Sequence, residues 1–233
     1  MNDEFSELPG ELESDLWPRD WGEVTDVPHH LGVLPDGTET LIFGDPEGCK
    51  EFNHQQGTND LGFKNDCGLV SCEDVLRQFG YPVSENDVVL HAVERGECEV
   101  KDLPDLSGGT TVEEKREILA DYGIPARTEE GISLEDLASE VEHGHGVIAC
   151  VNAGYLWNDQ QSVESGEHNH AITVTGVARD PSTNEIQGFF INDSGRGESG
   201  KFIKAETMEK AWLLHGCGVS VVTEPTLPHN LAA

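Results

Sequence analysis

Basic residues are scarce in this chain: 14 lysines and arginines stand against 45 aspartates and glutamates, for a formal net charge of −31. A surface of that sign repels nucleic acid and anionic lipid, so neither is expected as a partner. It fits a heavily solvated, salt-adapted surface, with affinity for basic partners as the alternative. Long apolar runs are also missing. No stretch approaches the roughly 20 residues of a membrane-spanning helix. The start, Met1-Asn2-Asp3-Glu4, lacks the basic and apolar segments of a secretory signal, which points to a cytoplasmic location. Six cysteines in 233 residues fall far short of a disulfide scaffold, so reduced thiols are expected. Neither Cys-x-x-Cys nor His-Glu-x-x-His occurs, and no metal or cofactor is expected. Internal repeats are absent.

What remains is a chain long enough for one domain with a proper core. Residues 1–37 read as an acidic N-terminal arm, with Phe5, Leu8, Leu12, Leu16, Trp17 and Trp21 as scattered apolar anchors. Residues 38–225 read as the folded domain and 226–233 as a tail. Thr38 to Phe43 suits a short strand. From Leu69 the apolar residues Cys72, Val75, Leu76 and Phe79 follow helical steps, and Asp66 is a good N-cap type. Ser84 with Asp87, Thr111 with Glu114, and Ser133 ahead of Leu134, Leu137 and Val141 mark three more helix starts. The period then changes. Val147–Val151 is a continuous apolar run, His170–Val177 alternates, and Gln187–Asn192 and Gly218–Thr223 read as further strands around a helix at Ala205–Leu214. Helices first and strands later give an α+β class: a helical layer on an antiparallel sheet.

Cys67 falls in the first turn of its helix, where backbone N–H groups and the helix dipole favour a thiolate. A cysteine there is either a nucleophile or a packed core thiol. Nucleophilic use requires a histidine to exchange protons and a polar group to orient it. His170 opens a strand after the polar loop Ser165–Asn169, and Asp193 ends the next strand at a comparable level. With neighbouring strands about 4.8 Å apart, the two side chains are within hydrogen-bonding range, and Cys67 on a helix above them would complete a triad.

Five short motifs in order carry a resemblance: Gln ahead of Asp66-Cys67-Gly68, then Gly108-Gly109-Thr110, Tyr122-Gly123-Ile124, His170-Ala171-Ile172-Thr173-Val174 and Asn192-Asp193-Ser194-Gly195. Over roughly residues 52–223 the chain resembles papain-like cysteine peptidases, the bacteriocin-processing (double-glycine leader) group and its stand-alone bacterial relatives in particular. That resemblance implies a papain-like fold and a thioester-forming cysteine hydrolase acting on a peptide or protein amide. Cys67 would be nucleophile, His170 general base and acid, and Asp193 the orienting residue. It also implies an oxyanion-hole glutamine before the cysteine, here Gln56, with Gly57 to Lys64 looped out as an insertion; Asn65 is the substitute donor. Ser194 stands where the family usually has proline. The same thioester chemistry serves glutamine deamidation or transglutamination, and a degenerate fold that only binds peptides is the third reading.

Other residues have plainer readings. His168 with His170, and His143 with His145, form His-x-His pairs of a kind that can contribute to zinc binding, but without an accompanying zinc motif they read as solvated loop histidines. Cys72 fits the apolar stripe of its helix. Cys49, Cys98, Cys150 and Cys217 read as packed or idle. Trp157 either lines a groove or anchors a loop, and Asn192 is an alternative orienting group for His170.

Overall fold

The structure, a computed structural model, describes residues 29–228 except 215 and 217. The apolar anchors expected in the arm and Cys217 lie outside the described residues. Among these residues eight antiparallel strands form one sheet: His29–Val33 (β1), Glu39–Gly44 (β2), Ala126–Ile132 (β3), His145–Val151 (β4), His170–Arg179 (β5), Ile186–Asp193 (β6), Glu198–Lys204 (β7) and Gly218–Thr226 (β8). Their order is β1-β2-β5-β4-β8-β3, and β6 pairs with both β5 and β7. β5 is the strand on which the sheet turns. Its first half lies between β4 and β6, and its second half between β2 and β6.

Among the described residues seven α-helices accompany the sheet: Cys67–Gln78 (α1), Glu85–Arg95 (α2), Val112–Asp121 (α3), Leu134–Glu142 (α4), Ala153–Trp157 (α5), Gln160–Ser165 (α6) and Ala205–Trp212 (α7). The capping boxes at Ser84/Asp87, Thr111/Glu114 and Ser133/Asp136 are all formed. α1 packs across β5 and β4 and against α2 and α3. Its apolar stripe (Leu69, Cys72, Val75, Leu76) meets Ile148, Ala171 and Val221 from the sheet in one core. A second core lies on the sheet's other face, where Leu137, Met208 and Trp212 of α4 and α7 meet Val147, Ala149, Ile172 and Val174.

The α+β class is as expected, but the arrangement is fuller than one helical layer on a sheet. Helices cover both faces, so all ten residues of β5 are buried where an alternating strand suggested unequal faces. β1, inside the segment read as the arm, pairs with β2, and β7, with Gly200 and two lysines in seven residues, carries no strand signal. Among the described residues no helix is long and apolar enough to cross a membrane.

Candidate active site

The register sets Thr173 opposite Asn192, so Asp193 at the end of β6 stands two residues short of His170 at the start of β5, within reach of its side chain. His170 Nε2 lies 2.7 Å from Asp193 Oδ1, both side chains being buried. The Cys67 thiol stands beside His170 in the same cavity wall, close enough for the two groups to influence each other's charge. α1 holds that thiol in place through a close approach. A Cβ on Gly68 would meet Thr110 Oγ1 at 2.0 Å, so only glycine lets the segment before α3 press against the first turn of α1.

Three further groups complete the arrangement. Trp157, at the end of α5, donates its indole N–H to Asp193 Oδ2 at 2.7 Å and lies against the His170 ring at a centroid distance of 4.9 Å. The Arg196 guanidinium stands over the outer face of the same indole. Gly195 donates its N–H to Asp193 Oδ1 at 3.0 Å. A Cβ on Gly195 would lie 2.6 Å from Trp157 and 3.0 Å from His170, so this glycine too is set by close contact.

The electrostatics favour an ion pair. Burial opposes charge on Cys67, but the hydrogen bond and positive charge of His170, the Ala171 N–H and nearby Lys115 together hold the thiol below its usual range. Burial likewise opposes charge on His170, and the bonds to Asp193 and Cys67 outweigh it, pushing the imidazole up to about 9. Asp193 is held below its ordinary range by His170 and Trp157 against the effect of burial. By contrast, burial pushes Cys72 up to about 12, as befits a core thiol.

Gln56 sits on the Ser194 side of this group. Its Oε1 accepts from the Ser194 hydroxyl at 3.1 Å, and its Nε2 donates to Lys64 O at 2.8 Å. Lys64 Nζ reaches back to Gly57 O at 3.0 Å, so the insertion is closed at its neck. Glu85, the first residue of α2, holds the loop from inside. It accepts from the backbone N–H groups of Gly57, Thr58 and Asn59 at 3.0, 2.7 and 2.9 Å, from the Thr58 hydroxyl, and from His54. Asn65 faces the other way, toward Gly109.

Some expectations are corrected. Asp66 occupies the N-cap position but makes no side-chain cap. Its carboxyl is turned inward to Asn59 and Glu85, and burial together with Glu85 pushes it up to about 8, so near neutral pH it carries a proton. Asn192 does not orient His170; its amide bonds to Asp74 Oδ2 at 2.8 Å and to Cys49 O, on the other side of β6. Of the histidine pairs, His170 is committed to Asp193 and His168 to the Trp212 carbonyl, while His143 contacts Ser139 and His145 lies near Glu140.

A cavity of about 360 Å³ opens beside Cys67 and His170. Asn65, Gly109, Lys115 and Cys150 belong to its wall, whereas Gln56 does not. Lys115 and Cys150 escaped the reading of the sequence, although one signal was present: Lys115 stands three, four and seven residues before Ile118, Leu119 and Tyr122, on the apolar stripe of α3.

A family model described as the Peptidase_C39 like family matches residues 51–219. The chain belongs to that family. Its resemblance to papain-like cysteine peptidases is thereby established, and the matched span holds Cys67, His170, Asp193 and Gln56. The fold is also similar to the crystal structure of a candidate C39-like peptidase from Bacillus anthracis, with a TM-score of 0.52 at 16% identity, over 77% of this chain and 97% of that one. None of the curated proteins matches the chain. In this C39-like chain, sequence pattern and family agree on a cysteine peptidase relative.

Proposed function

We propose that the protein is a cysteine peptidase that cleaves a peptide or protein amide through a thioester on Cys67. The observation that carries this reading is the 2.7 Å pair of His170 with Asp193, closed over by Trp157, with His170 in the same cavity wall as Cys67. The Cys67 thiolate attacks the carbonyl carbon, and the His170 imidazolium gives its proton to the leaving amine. Water, deprotonated by His170, then releases the acyl group. The negative oxygen of each tetrahedral intermediate is held by the Cys67 backbone N–H at the start of α1 and by Gln56, whose amide plane is fixed by Ser194 and Lys64 and keeps one N–H unspent. Asp193 holds the imidazole in the tautomer and orientation the transfer needs.

The direct test is labelling by iodoacetamide with the modified site found by mass spectrometry. Rapid modification at Cys67, lost in Cys67→Ala together with cleavage of a casein-derived peptide mixture, is the expected result. Ammonia release from glutamine without backbone cleavage would shift the chemistry to deamidation, and a Cys67 no more reactive than a free thiol would refute it altogether.

Two further outcomes follow from the geometry. Gln56→Ala lowers kcat about a hundredfold with little change in KM, because a donor that strengthens only as charge develops acts on the transition state. The pH profile of kcat/KM is a bell. Its acid limb lies below the usual thiol range, where Cys67 ionises, and its alkaline limb lies near 9, where His170 loses the proton it must donate. Thiolate absorbance in the ultraviolet, followed against pH and compared with Cys67→Ala, checks the acid limb independently of turnover.

A further inference from the structure

We infer that the cavity beside Cys67 selects a substrate side chain bearing a carboxylate, with Lys115 as the residue that recognises it. The inference rests on the peptidase reading above and adds to it a substrate class. Lys115 is only 3% exposed, yet it lies in the cavity wall with the candidate nucleophile. Its ammonium donates to the carbonyls of Thr110 and Thr111 at 3.4 and 3.0 Å and reaches the Cys150 thiol; among the described residues no carboxylate pairs with it.

A buried lysine without a counterion is costly, because carbonyl dipoles replace only part of its hydration. Its place in the first turn of α3 adds a second cost, since a cation there faces the positive end of the helix dipole. Two carbonyls and the nearby Cys67 thiolate draw on the charge, but His170 already stands as partner to that thiolate. An apolar residue would suit the stripe formed with Ile118 and Leu119 better. The charge finds its full use when something anionic enters the cavity.

The rest of the wall agrees. In a chain of net charge −31, the cavity lining contains no aspartate or glutamate. With Cys67 ionised and His170 protonated, those two charges offset each other, and the Lys115 charge is the one left for a ligand. At about 360 Å³ the cavity has room for a side chain as large as glutamate. A carboxylate there would gain a charge-assisted hydrogen bond in a site screened from water, while a neutral amide of the same shape would not.

The test uses the full chain and blocked peptidyl acyloxymethyl ketones that alkylate a nucleophilic cysteine, differing only in Glu, Gln or Lys at each of the two positions before the reacting carbonyl. At one of these positions, wild-type Cys67 is expected to react at least tenfold faster with the Glu probe than with its Gln isostere, and slowest with Lys. In Lys115→Met the Glu/Gln ratio falls to about one, and in Lys115→Glu the Lys probe becomes the best. Iodoacetamide, which places no side chain in the cavity, separates the two readings. If it modifies Cys67 rapidly while wild type treats Glu and Gln alike at both positions, the Lys115 inference is wrong and the peptidase reading stands. If Lys115→Met slows every probe equally and keeps the Glu/Gln ratio, Lys115 serves the thiolate and not the substrate, which also overturns the inference. If neither iodoacetamide nor any probe modifies Cys67, both readings fall. The wild-type ratio needs no variant, so the inference is open to refutation even if Lys115→Met fails to fold.

Discussion

Asp193→Asn lowers kcat/KM about a thousandfold, roughly 4 kcal/mol of transition-state stabilisation, and much of that loss comes from Trp157. Asp193 is an acceptor in three directions: Oδ1 takes the His170 and Gly195 N–H groups, and Oδ2 takes the Trp157 indole. An amide has one acceptor oxygen and one donor nitrogen. If its oxygen faces His170, its NH₂ points at the indole N–H, donor against donor. Flipping the amide moves the clash to His170 and Gly195. Either way the negative charge that stabilises the imidazolium is gone. Trp157→Phe removes the competing donor, so the double variant Asp193→Asn/Trp157→Phe should recover about tenfold over Asp193→Asn alone. Steady-state kinetics on the two single variants and the double form the required cycle. If the double is as slow as the product of the singles, Trp157 is only a packed neighbour of the triad.

The contrast between Trp157 and Cys67 shows where the sequence was informative. Cys67, His170 and Asp193 can be proposed together because each sits at an element boundary whose signal is local: an apolar helical stripe after Cys67, a strand opening at His170, a strand ending before a glycine turn at Asp193. Antiparallel neighbours then bring such ends together with no further information. Trp157 had no such signal. It ends a five-residue helix, and its role depends on the β6 turn 36 residues later. The second helical layer was missed because a helical layer on one face already satisfied the pattern, and nothing local tells that α4 and α7 cover Ile172 and Val174 on the other face. Asp66 was read correctly as a helix-start residue and wrongly as a cap. Its carboxyl had a stronger use elsewhere, and only the tertiary structure supplies Glu85.

That use leads to the largest expected effect on stability. Glu85→Gln should cost about 3 kcal/mol or more of unfolding free energy, the range for removing one member of a buried charged network. The wild-type carboxylate receives three backbone N–H groups, a hydroxyl, the His54 ring and the Asn59 amide, all donors. A glutamine turns one of its ends into a donor, leaving several of these facing another N–H. Asp66→Asn, next to Cys67, should behave oppositely. Folded Asp66 keeps its proton up to a pH of about 8, whereas unfolded it would ionise near 4. Its folded pKa is raised, so its contribution is fully present below about 4 and is lost as pH climbs toward 8. Asparagine copies the protonated acid, accepting from Asn59 and donating to Glu85 without titrating. Urea unfolding near pH 4 should therefore place Asp66→Asn within about 1 kcal/mol of wild type. The variant should gain on wild type as pH rises from about 4 to about 8, and no further above that. Glu85→Gln should also lose activity in its folded fraction, because the loop it releases is the one that seats Gln56. A Glu85→Gln protein as stable as wild type, or a folded one with unchanged kcat, would show that the loop holds Gln56 by its own neck at Gly57 and Lys64 and needs nothing from α2.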